Sequence, residues 1–177
     1  MLSRPAEPLP AFAYVPGGPW PHPNRSRPAE NDAPPPPIEP GRWADSRPYL
    51  RGVELFNAGY YWEAHEAWEG LWLAHGRRGP TAAVLQGLIK LAAAALKVRE
   101  GRPGGVRSLA NRAADHFAEA IAGAGDHQLG LDLNRCREFA EAVAANPPAD
   151  PNPPGAAVSR VFSFELTPDE NRSQARL

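Results

Sequence analysis

Residues 56–72 read F-N-A-G-Y-Y-W-E-A-H-E-A-W-E-G-L-W. They hold three tryptophans, two tyrosines, one histidine and three glutamates. No other segment joins so much aromatic surface to so much ionisable chemistry. On a helix, the spacing i, i+4 sets His65 and Glu69 one above the other, close enough to hold one ion or one proton between them. Trp62 and Glu66 flank that pair, Trp72 shares its face, and Glu63 lies apart.

Residues 65–69 spell H-E-x-x-E and not the H-E-x-x-H of zinc peptidases, which need two histidines one helical turn apart. His65 and Glu69 can still be two metal ligands, and a carboxylate-rich donor set suits Mn, Fe or Mg. A third ligand then comes from His116, His22 or an adjacent glutamate. Without a metal, His65 between Glu66 and Glu69 is a candidate base. A plainer reading stands beside these. Glutamates on a helix are most often a solvated face, and a His–Glu pair at i, i+4 is often a local contact worth a few tenths of a kcal/mol. The tryptophans weigh against it, because partly covered ionisable groups must find partners.

The candidate catalytic residues are therefore His65, Glu66 and Glu69, with His65 and Glu69 as metal ligands. Glu63, Trp68, Gln86 and Lys90 are candidates for holding a ligand. No serine elbow, phosphate-cradling glycine loop or dinucleotide fingerprint occurs. The cofactor, if any, is expected to be a divalent metal ion.

This stretch, followed by L-Q-G-L-I-K-L-A-A-A at residues 85–94, resembles the domain-of-unknown-function family numbered 309. The resemblance covers about residues 49–122. It implies a small all-helical fold, and some family members carry the label of metal-dependent hydrolase. The positions it points to are Glu63, His65, Glu66, Trp68 and Glu69.

The elements that position these residues follow from periodicity and punctuation. A helix over residues 60–74 sets Tyr60, Ala64, Ala67, Leu71 and Ala74 on a core stripe beside Trp68. Asn57-Ala58-Gly59 stops a shorter helix that begins near Asp45 or Ser46, so the two form a hairpin. Pro80 and Thr81 open a helix running to about Glu100, apolar around most of its circumference. Its polar stripe is Gln86, Lys90 and Lys97, and Lys90 is expected to meet Glu66 or Glu69, since lysine is rarely buried unpaired. Gly101 to Gly105 break the chain before a helix over residues 106–122. There His116 sits one turn from Arg112, and a surface pair with a neighbour is its commoner role. A last long helix spans residues 131–145, with Cys136 on its apolar side.

The fold class is thus all-α: four or five antiparallel helices in hairpins resembling tetratricopeptide pairs, with a proline-rich N-terminal arm. The expected organisation is an arm and spacer over residues 1–43, a helical domain over 44–146 and a proline-rich tail over 147–177. In the arm, Phe12, Tyr14, Val15 and Trp20 are expected to anchor residues 9–23 on the helices. Residues 158–166 are expected to be extended.

The net charge of −1 gives no nucleic-acid footprint. One cysteine excludes an internal disulfide. The N-terminus lacks an apolar signal core, and the longest apolar run, residues 91–96, is short for a membrane span. A cytoplasmic protein is expected, with a small molecule or a protein as partner and neither nucleic acid nor membrane. The competing class is a non-enzymatic helical scaffold that binds a peptide or partner protein.

Overall fold

A computed structural model of the chain describes residues 7–23, 33–149 and 155–169. A 3-10 turn, Pro40–Asp45, leads into α1 (Arg47–Ala58), α2 (Tyr61–Ala74), α3 (Pro80–Arg99) and α4 (Pro103–Ala124). A two-residue hairpin, β1 (His127–Gln128) and β2 (Leu131–Asp132), precedes α5 (Leu133–Ala145). Each helix packs on the next in sequence. Connections this short force neighbours to reverse direction, so the fold is the expected all-α array of hairpins.

The helix ends follow local chemistry. Pro48, Pro80 and Pro103 sit in first turns, where a missing N–H costs nothing. α4 therefore begins at Pro103, and Gly104 and Gly105, expected to break the chain, lie inside its first turn. Asp132 caps α5 by accepting from the backbone N–H groups of Asn134 and Arg135. Gly59 ends α1 at φ 91°, and the next amide, Tyr60 N–H, donates back to Leu55 O at 2.8 Å. A side chain at Gly59 would also meet the carbonyl oxygen of Ser159.

α3 is the central helix, with thirteen of its twenty residues buried. Contrary to the expectation of no such run, Pro80–Arg99 is long and apolar enough to cross a bilayer by length and composition. Most of its apolar window, 78%, is instead covered by the rest of the protein, as for a core helix. The buried face of α2 is Tyr61, Ala64, Trp68 and Leu71. Trp68 is wholly buried and donates its indole N–H to Tyr49 O at 3.3 Å. The indole fits because α1 has no side chain at Gly52; a Cβ there would overlap its nitrogen.

Described residues on both sides of the helices lie on this body. In the arm, Ala13 and Val15 are buried. Phe12 and Trp20, expected as anchors, stack on each other at 4.7 Å, and Trp20 is exposed. Two rings that satisfy each other need no pocket on the helices. Within the expected tail over 147–177, residues 155–169 form a strap. Asn57 and Leu166 exchange two hydrogen bonds, of 2.8 and 2.9 Å. Val161 N–H donates to Tyr61 OH at 3.0 Å. Phe162 is buried against Phe56, Tyr61 and Phe139.

Candidate functional site

His65, Glu66 and Glu69 come together on α2. One donor atom from each lies within 4.8 Å of the others, and all three side chains are half-buried. The reason is helical geometry. Glu69 is one turn from His65 and three residues from Glu66, so the three donors form a triangle on one patch. His65 Nδ1 approaches Glu66 Oε1 at 3.5 Å. That contact is not aligned as a hydrogen bond, and Nδ1 is buried without a hydrogen-bond partner.

Two more orphaned polar atoms belong to the neighbouring residues of α2, Trp62 Nε1 and Glu63 Oε2. Native interiors pair nearly all such groups. Three of the six such atoms among the described residues fall within residues 62–65, about one turn of α2, and a nitrogen plus two carboxylates is a donor set that fits a divalent ion.

Trp62 stacks on His65, with ring centroids 6.0 Å apart and planes at 16°. Its other neighbours are Tyr14 and His22 of the arm, at 4.9 and 5.1 Å, both edge-on. Glu63 faces the arm: its Oε1 accepts the Tyr14 backbone N–H at 3.0 Å.

Burial pushes the Glu63 carboxyl up from 4.5, and the charge of Glu66 adds to this. The Tyr14 N–H and the Arg99 guanidinium pull it down by less. A raised value means the folded chain holds this proton more tightly than the unfolded chain. Stability is then lost as pH rises from 4.5 through the raised value, and above it the buried charge is a standing cost. In the Glu63→Gln variant the amide oxygen would still accept from Tyr14. That variant is therefore expected to melt higher than wild type at about pH 7, with the difference gone by about pH 4. Thermal melts at both pH values check this, and a lower melting temperature at neutral pH would contradict it.

Other expected members lie elsewhere. Trp68, expected to hold a ligand, is a core side chain with no face left for one, because its indole fills the α1–α2 contact. Gln86 and Lys90 are half-buried on α3. Among the described residues Lys90 forms no ion pair with Glu66 or Glu69; the Glu66 carboxylate lies against His65 instead. His116 pairs with Glu119 at 3.5 Å and is not in the cluster. His22 packs against Tyr14 and Trp62 rather than joining the donors. The third donor is the adjacent glutamate, Glu66.

A separate cavity of about 180 Å³ opens at the start of α5, between His127, Asp132, Arg135, Cys136, Phe164 and Asp169. Burial pushes the Cys136 thiol up to about 12, so it stays protonated and is no nucleophile at neutral pH. Nothing in the local sequence signals this cavity, because its walls come from the hairpin, from α5 and from a strap some thirty residues later.

No curated protein matches this chain. Residues 49–109 match the model of a domain of unknown function, DUF309. The matched stretch holds all of α2 and α3, and with them His65, Glu66 and Glu69. Over these residues the chain is similar to the DUF309 family.

Proposed function

We propose that the protein binds one divalent metal ion through His65, Glu66 and Glu69. The observation that carries this reading is the trio of donors within 4.8 Å, its histidine nitrogen buried and lacking a hydrogen-bond partner. Two carboxylates neutralise a dication, and the imidazole adds one nitrogen, which favours Mn, Fe or Mg over a thiolate-seeking metal. All three ligands project from one helix, so the outward side of the ion is left for water or a small ligand. A bound dication supplies Lewis-acid polarisation and an activated water, and the finer reading is a metal-dependent hydrolase acting on a small molecule.

The test is metal analysis and Mn2+ titration of the full-length chain. One ion per chain is expected, and no binding at millimolar Mn2+ would sink the reading.

A second reading has its own support. The arm crosses from α1 to the first turn of α2 as a bound peptide would: the Glu7 and Pro8 carbonyls accept from Arg51, Ala13 joins the core, and Tyr14 N–H donates to Glu63. This favours a helical scaffold that holds a peptide, with the His/Glu cluster structural. It gains if wild type carries no metal and loss of His65 or Glu69 strongly destabilises the fold.

A further inference from the structure

A metal-binding histidine ordinarily has its second ring nitrogen fixed by a hydrogen bond, which sets the direction of the ligating one. The His65 ring makes no hydrogen bond to any other described residue. What lies against its ring is the Trp62 indole, nearly parallel at 16°. Trp62 is in turn boxed from the arm. Tyr14, His22 and Trp62 form a closed triangle of edge-on rings, with centroids 4.9 to 5.1 Å apart. The arm is held to α2 beside this triangle by the Tyr14–Glu63 hydrogen bond, and by Ala13 and Val15 in the core.

The same N-terminal region fastens α2 on the other side of the cluster. Pro35 lies against Gly70, and the Ile38 backbone N–H donates to His75 Nε2 at 2.9 Å. His65, Glu66 and Glu69 thus sit between two clasps made by residues that precede α1.

We infer that Trp62 is a positioning residue for the metal site, and that Tyr14 and His22 hold it in place. The inference rests on the reading of the cluster as a cation site. The stacked indole does for His65 what an outer hydrogen bond does elsewhere: it restricts the ring to orientations that keep its donor nitrogen within reach of the carboxylates. The arm is then part of the site, although it supplies no ligand.

The test uses the full-length chain and Mn2+ as the probe, read by titration calorimetry. Loss of an outer partner typically weakens metal affinity by ~10–100-fold, so Trp62→Ala is expected to bind at least ~10-fold more weakly than wild type. Trp62→Phe, which keeps a stacking ring, is expected to stay within ~threefold of wild type, well short of that loss. A combined Tyr14→Ala and His22→Ala variant leaves Trp62 in place but unboxed, and it too should bind more weakly. This variant carries the test if Trp62→Ala does not fold.

A second readout needs no metal. The ring protons of His65 should lose the ring-current shift from Trp62 in Trp62→Ala, and should shift part of the way in the arm variant. Unchanged affinity and unchanged His65 shifts in both variants would overturn the positioning role while leaving the metal site standing. Failure of wild type to bind Mn2+, with the His65 shifts moving as expected, would overturn the metal site and leave only the stack.

Discussion

Trp68→Ala is expected to cost about 3–5 kcal/mol, the range for removing a large aromatic from a packed core. For a chain of this size that lowers the melting temperature by roughly 6–20 °C. The indole is wholly buried, its N–H is bonded to Tyr49 O, and Phe56 packs on it at 5.9 Å. Alanine would leave a void between α1 and α2 and remove the indole donor from the Tyr49 carbonyl, which keeps its helical bond within α1. The opposite change makes a sharper test. Gly52→Ala drives a methyl group into the indole and should cost ~1–3 kcal/mol. The two substitutions act on one shared space, so the combined variant should lose clearly less than the sum. Chemical denaturation of all three proteins checks this, and strict additivity would mean the contact is not as tight as described.

The second large effect is on binding. His65→Ala and Glu69→Gln should each weaken Mn2+ affinity by more than the ~10–100-fold typical of outer partners, because each removes a ligand. Their folding stability should move by less than ~1 kcal/mol, since both side chains are half-buried and neither gives up a hydrogen bond seen in the structure. Groups assembled for binding often cost a fold some stability, so a small gain is in keeping with this. A structural ion pair behaves in the opposite way: breaking a buried one costs ~3–5 kcal/mol. Urea titrations beside Mn2+ titrations separate the two cases. A large loss of stability in both variants, with no metal on wild type, would favour the scaffold.

The helices were legible in the sequence wherever periodicity and punctuation agreed. Gly59, Pro80 and the apolar circumference of residues 80–99 mark α1, α2 and α3 closely. The cluster was legible for the same reason, since residues 65, 66 and 69 share a face on any helix. What periodicity cannot show is which residue on a neighbouring element is missing a side chain. Trp68 looked available for a ligand because nothing in its own segment reveals that Gly52 makes room for it. Lys90 invites Glu66 or Glu69 as a partner because a helical wheel gives an angle and no distance. The extended segment at 158–166 is expected, but its packing is not legible: residues 155–169 lack a repeating pattern, and Phe162 and Leu166 are buried against Phe56, Tyr61 and Asn57, about a hundred residues earlier.

That strap has a consequence for how the chain is made. The rings of Phe56 and Tyr61 are covered by Phe162, and Asn57 is paired with Leu166. A Cβ at Gly155 would meet Pro19 of the arm, so the segments on either side of the helices touch each other. Synthesis runs from the N-terminus, so α1 and α2 emerge from the ribosome long before the residues that seal them. Local helix pairs can form early, but these contacts close very long loops and form late. Until then the aromatic end of α2 stays uncovered on the nascent chain, and the helices that carry the candidate site reach their final packing only once residues 155–169 are free to fold back.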